Sequence, residues 1–69
     1  MDDAKFDRLI VRLGQLNEQL RQLEDVDYIT ASYKGFSASG ATLADVQADI
    51  ATTQQKIMLI QEQLAHYDS

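Results

Sequence analysis

The stretch DYITASYKGFSASGATLADV, residues 27 to 46, decides the fold because it separates two segments with helical periodicity. Residues with high β-propensity are concentrated at its start and just before it: Val26, Tyr28, Ile29, Thr30 and Tyr33. Gly35 offers a turn, and Phe36 begins a second run that is poorer in β-branched residues. The composition therefore predicts a short β-hairpin over about residues 26 to 41.

The segment before this stretch carries apolar residues at alternating spacings of three and four. They are Phe6, Leu9, Leu13, Leu16, Leu20 and Leu23. This spacing places all of them on one narrow stripe of a helix, which is the pattern of a heptad seam. The sequence predicts a first helix over about residues 3 to 24.

The segment after it begins with a helix start signal at Thr42. Asp45 follows three residues later, so the pair has nearly the form of a capping box, with Asp in place of Glu. The apolar positions behind it keep the same spacing, with Thr53 as one polar member: Leu43, Val46, Ile50, Ile57, Ile60, Leu64 and Tyr67. The sequence predicts a second helix over about residues 43 to 66.

Two helices of similar length, each with one apolar stripe, predict antiparallel pairing, which would place Leu9 near Met58 in height along the pair. The predicted fold class is α+β: two antiparallel helices joined by a short β-hairpin, in a single domain spanning residues 1 to 69. The alternative is an all-α helical hairpin with an irregular connection, because the second arm of the β-hairpin is rich in Ser and Ala. A chain this short buries only about 60% of its unfolded surface on folding, which favours self-association.

Composition restricts the kinds of partner. The 11 acidic and 6 basic residues give a formal net charge of −5, which repels nucleic acid backbones and anionic membrane surfaces alike. We expect protein partners, no membrane association and no direct sequence-specific nucleic acid binding. The acidic N-terminus and the lack of a long apolar run predict a soluble, intracellular protein.

No residue pattern predicts an enzyme or a cofactor site. The chain has no cysteine and a single histidine, His66, so it has neither a disulfide framework nor a His-pair metal motif. Its Ser and Thr residues lack a nearby base or oxyanion-loop signature, and Lys34-Gly35 lacks the spacing of a phosphate loop. We expect no catalytic residues, no bound metal and no cofactor.

Apolar residues off the two seams predict where partners bind. At about 100° per residue, Val11 points away from the first seam, while Met58 and Leu59 lie to either side of the second. An exposed apolar patch usually marks an interaction surface, unless the chain termini or Tyr67 fold back over it. The predicted interface residues are Ile10, Val11, Met58 and Leu59, followed by Tyr33 and Phe36.

The order of helix, short β-hairpin with Gly at its turn, and second helix opened by a Thr cap resembles a known family. This family comprises the small head-to-tail joining (head completion) proteins of tailed phages, the gpW-like group. The piece ATLADVQADIA, residues 41 to 51, is similar to the family's entry into its second helix, and residues 33 to 35 fall where the family turns its hairpin. The matching positions are the cap Thr42, the acid Asp45, the aliphatic Val46, and Ile50-Ala51 one turn later. The Ser- and Ala-rich second arm departs from the family, whose members have charged and β-branched residues there.

The resemblance implies a non-enzymatic structural protein that forms a homo-oligomeric ring under the phage portal, completes the head and docks the tail. Its partners would be further copies of itself and the portal and tail proteins. Its location would be the virion, after assembly in the host cytoplasm. The alternative function is a small helical-hairpin adaptor or secretion-type chaperone that binds a partner helix.

Overall fold

The computed structural model describes residues 3 to 67. The chain forms α1 (Asp3–Gln22), a π-helical turn (Leu23–Asp27), α2 (Tyr28–Lys34) and α3 (Leu43–Ala65). The backbone stays helical through both junctions, with φ and ψ of −60° and −43° at Gln22 and of −65° and −43° at Asp27. Hence α1, the π-helical turn and α2 make one long first helix. It packs against α3 in a hairpin that measures 49 × 15 × 14 Å.

The predicted α+β class is wrong. No strand occurs between residues 3 and 67, and the β-hairpin predicted over 26 to 41 is replaced by helix as far as Lys34. One isolated antiparallel bridge, between Phe36 and Thr42, is the extent of β pairing in this part of the chain. The fold is an all-α helical hairpin, and its first helix ends at Lys34 rather than near residue 24.

The π-helical turn explains why the heptad pattern ends at Leu23 in the sequence. Continued at α-helical spacing, the seam would reach Asp27 and Thr30, which are polar and therefore resemble the end of an amphipathic helix. The wider turn is closed by the Tyr28 N–H, which donates to the Leu23 carbonyl oxygen and so inserts one residue into the repeat. Ala31 takes the place of Thr30 in the core and is 2% exposed.

Packing against α3 outweighs the β-propensity of this segment. β-Propensity spans only about 1 kcal/mol and depends on context, and an isolated two-stranded hairpin is marginal in water. The helix satisfies its backbone hydrogen bonds internally while burying Leu23 and Ala31 against Val46. The hydrophobic gain from this burial has no counterpart in an isolated hairpin.

Residues 35 to 42 reverse the chain in a compact loop. Gly35 ends the first helix with φ 91°, a left-handed conformation that favours glycine, and its N–H donates to the Ala31 carbonyl oxygen at 2.8 Å. Ser37 is buried and holds the loop together. Its N–H donates to the Ala41 carbonyl oxygen at 2.7 Å, and its Oγ accepts from the Ala41 N–H at 3.2 Å. The predicted turn glycine is thus a helix terminator.

The long first helix sets the register of the pair. The ring of Phe6 lies edge-on to Tyr67, with ring centroids 5.3 Å apart. Leu9 lines a pocket with Gln63 and Tyr67, so its neighbours on α3 include residues closer to the C-terminal end than Met58, near which the sequence placed it in height. The first helix continues beyond residue 24 before the chain turns. The start of α1 therefore lies beside a later part of α3 than the sequence predicted. The core around this register contains Leu16, Ile57 and Ile60, with Leu9, Leu13, Leu20 and Leu64 packed against them.

The capping box predicted at the start of α3 is confirmed. Thr42 Oγ1 accepts from the Asp45 N–H at 3.2 Å, and Asp45 Oδ2 accepts from the Thr42 N–H at 3.2 Å. Thr53, the polar member of the second seam, is buried with its hydroxyl donating to the Asp49 carbonyl oxygen at 2.7 Å. Hydrogen bonds of the Thr42 and Asp45 side chains therefore determine where α3 begins, and a backbone carbonyl within the helix accepts from the buried hydroxyl of Thr53.

Thr42→Ala is expected to lower the free energy of unfolding by about 0.5 to 2 kcal/mol, because it removes the acceptor for the Asp45 N–H. Thermal melting followed by circular dichroism should show a decrease of roughly 4 to 8 °C for each kcal/mol lost. Thr52→Ala, at an exposed position within α3, is the matched control and should leave the melting temperature nearly unchanged. Equal melting curves for Thr42→Ala and the wild type would contradict this assignment.

Candidate interaction surface

All six predicted interface residues are exposed to solvent. Their exposed fractions range from 46% at Ile10 to 88% at Tyr33. The other four, Val11, Phe36, Met58 and Leu59, lie between these values. The exposure that the prediction requires is present, and the contact with a partner remains a prediction.

Val11 does not share a face with Met58 and Leu59, although all three were predicted at the open end. Leu9 packs into the core, and Val11 is about 200° further round the helix, so Val11 faces away from α3. Ile57 is buried, and Met58 and Leu59 are about 100° and 200° further round, so they face away from α1. The hairpin therefore presents apolar side chains on two opposite outward faces, one on each helix.

The alternative is that the chain termini or Tyr67 cover these residues. The structure describes the termini only as far as residues 3 and 67. Tyr67 packs on Phe6 and keeps 42% of its surface exposed. Residues 1, 2, 68 and 69 lie outside the described part of the chain. Within residues 3 to 67, Val11, Met58 and Leu59 are all exposed.

A second apolar surface lies on the first helix close to the loop, and the sequence analysis missed part of it. Tyr28, Ile29, Ser32 and Tyr33 line a shallow, open pocket of about 360 Å³. Val26 is exposed beside them. Sequence reasoning assigned these residues to a β-hairpin. The spacing of residues 26, 29 and 33 was the signal that could have indicated a helical stripe instead.

A larger pocket, of about 420 Å³, lies at the open end of the hairpin. It is lined by Lys5, Leu9, Gln63, His66 and Tyr67. Its lining mixes one cation, one imidazole and an amide with apolar groups, without the paired acid, base and nucleophile that covalent catalysis needs. Between residues 3 and 67, no group of three or more His, Cys, Asp and Glu residues is placed to hold a metal ion.

A pair of opposite charges lies on the exposed surface of α1. Glu18 and Arg21 form an exposed ion pair at 2.9 Å, a type of contact that adds little to stability. Glu18 raises the pKa of Arg21, first through its hydrogen bonds and then through its negative charge. No helix within the described residues has a stretch long and apolar enough to cross a membrane.

Comparison with protein-family models, with curated proteins and with solved structures finds no match for this chain.

Proposed function

We propose that this protein is a non-enzymatic structural protein that works by assembling with protein partners through its exposed apolar side chains. The observation that carries the proposal is the number of large apolar side chains that are exposed, compared with the number of hydrophobic residues that are buried. Between residues 3 and 67, ten large hydrophobic side chains are exposed, whereas six hydrophobic residues are buried. Exposed apolar surface in this proportion to the core is typical of chains that are stabilised by association.

The specific form that we propose is a ring subunit of a phage head-tail connector, which lies under the portal, completes the head and docks the tail. Its support is the resemblance of residues 41 to 51 to the entry into the second helix of the gpW-like family. Thr42 and Asp45, two of the matching positions, form a capping box. The family's β-hairpin is absent from residues 26 to 41, so the contacts that it makes in the family are not carried over.

The two outward faces suit a ring. In a cyclic ring each subunit contacts one neighbour with one surface and the next neighbour with a different surface. Val11 on the first helix and Leu59 on α3 face opposite ways, which is the arrangement that a head-to-tail contact needs. In this proposal Ile10 and Val11 of one subunit pack on Met58 and Leu59 of the next.

Val11→Asp and Leu59→Asp are each expected to abolish ring assembly, because every contact in a head-to-tail ring uses both faces. Native mass spectrometry of the purified protein, alone and with a phage portal, should show loss of the ring mass or of portal binding. Circular dichroism should remain helical because both positions are exposed.

Thr52→Asp places the same charge at an exposed polar position of α3 and is the matched control. It should assemble like the wild type. If Val11→Asp and Leu59→Asp also assemble like the wild type, the interface lies elsewhere, and Tyr33 and Phe36 become the residues to change.

The second candidate is a small helical-hairpin adaptor or secretion-type chaperone. The observation that favours it is the continuous first helix, which exposes Ile29, Tyr33 and neighbouring apolar side chains on a rod that could receive a partner helix. The same mass measurement separates the two candidates. A closed ring or portal binding supports the connector, while a stable monomer or a heterodimer with a partner supports the adaptor.

A further inference from the structure

The loop half of the first helix has an outward stripe formed by Asp25, Ile29 and Tyr33, at four-residue intervals. The inward side of this segment is defined by Leu23 and Ala31, which are buried against α3. Two residues along a helix correspond to about half a turn, so the stripe lies on the side opposite α3. Ile29 is 60% exposed and Tyr33 is 88% exposed, in agreement with this placement.

Apolar side chains widen the stripe on both flanks. On one flank Tyr28 and Ser32 complete, with Ile29 and Tyr33, the pocket of about 360 Å³, whose lining contains no charged residue. On the other flank Val26 is exposed. The stripe is therefore apolar at its centre and has one polar group near each end, the Asp25 carboxylate and the Tyr33 hydroxyl.

We infer that a second copy of this chain covers the stripe, with the two first helices antiparallel and a two-fold axis passing beside Ile29. Tyr33 follows Ile29 by four residues, which is about 6 Å of α-helix, and Asp25 precedes Ile29 by four residues, about one turn that includes the π-helical turn. The two-fold axis therefore brings Tyr33 to the height of the partner subunit's Asp25. A phenol donates a hydrogen bond and a carboxylate accepts one, so the surface is complementary to itself.

The apolar area fits a weak, reversible dimer. A buried aromatic side chain contributes roughly 150 to 250 Å², so Tyr28 and Tyr33 at their observed exposures offer on the order of 190 to 315 Å² per copy. Ile29 and Val26 add to this area. Two copies stay below the total of about 1,000 Å² that is typical of stable specific interfaces, in the size range of transient contacts.

The inferred dimer rests on the self-association proposed above. It specifies the partner as a second copy of the chain and the contact face as the stripe through Ile29. It is distinct from the outward faces at the open end. A dimer that binds no portal would contradict the connector proposal alone. Portal binding by a chain that stays monomeric by itself would contradict the dimer alone.

Ile29→Arg tests the two-fold axis, because it places two like charges against each other. Sedimentation equilibrium of the wild type from micromolar to millimolar concentration should show a monomer-dimer equilibrium. Ile29→Arg should remain monomeric over the same range. Ala51→Arg, which adds the same charge at an exposed position of α3, is the control and should keep the wild-type dissociation constant. Circular dichroism checks that both variants are folded.

Tyr33→Phe and Asp25→Ala test the polar pairing with changes that leave the core untouched. Each removes both hydrogen bonds of the dimer and should weaken association about tenfold to a hundredfold. Because the two side chains bond to each other, the double variant should be no weaker than the weaker single variant. Additive losses would overturn the pairing. A wild type that stays monomeric up to millimolar concentration would show that a second copy does not cover the stripe, and a folded Ile29→Arg that dimerises normally would place the dimer contact elsewhere. Either result overturns the inference.

Discussion

Leu16→Ala is expected to lower the free energy of unfolding by about 2 to 5 kcal/mol, the usual loss when a fully buried leucine is truncated and leaves a cavity. Leu16 is 1% exposed and forms the centre of the open-end core with Ile57 and Ile60. A chain of this length has a total stability of roughly 3 to 10 kcal/mol, so one such cavity removes a large fraction of it. The variant should unfold at a markedly lower urea concentration than the wild type.

Urea denaturation followed by circular dichroism measures this loss. In protein dilute enough to keep the proposed subunit contact from forming, Leu59→Ala is the matched control, because the same truncation at a position that is 52% exposed removes little buried area. We expect its loss to be at most about 1 kcal/mol. Equal losses for the two variants would show that Leu16 does not occupy the core.

Ser32→Pro is expected to destabilise the protein by about 3 kcal/mol or more. Ser32 lies in α2, where proline removes one backbone hydrogen bond and its ring clashes with the carbonyl group of Tyr28 in the preceding turn. The side chain is exposed, so the loss comes from the backbone alone. Thermal melting of dilute protein, at which the inferred dimer dissociates, measures it.

Ser32→Ala is the control that separates a helix from a strand. Alanine is the better helix former by a few tenths of a kcal/mol, so this variant should melt at the same temperature as the wild type or slightly higher. A Ser32→Pro variant with the wild-type melting temperature would contradict a helix at this position. A destabilised Ser32→Ala variant would point to a strand, where alanine is unfavourable.

The parts of the fold that could be predicted are those encoded by neighbouring residues. The start of α3 follows from Thr42 and Asp45, whose side chains reach the free N–H groups of the same helix turn. The buried faces of α1 and α3 follow from the spacing of Leu16 and Ile57 within each helix. Both signals depend on residues within one or two helical turns, so they can be recognised in the sequence without the tertiary structure.

The candidate site was predictable only in part. The exposure of Val11 and Leu59 follows from their angle to each seam, and the structure places both outside the core. Their separation onto opposite faces follows from how the two helices pack on each other. The stripe through Ile29 and Tyr33 was missed as a helical surface, because it depends on residues 26 to 34 being helical.

By itself the sequence determined two amphipathic helices, the position at which the second begins, and an acidic charge that disfavours nucleic acid. Only the tertiary structure decided the conformation of residues 26 to 34 and the register of the pair. The reason is that the π-helical turn breaks the regular repeat, and its benefit is the packing of Leu23 and Ala31 against Val46. That packing joins residues from two helices that are distant in sequence, so no local propensity or fixed periodicity could reveal it.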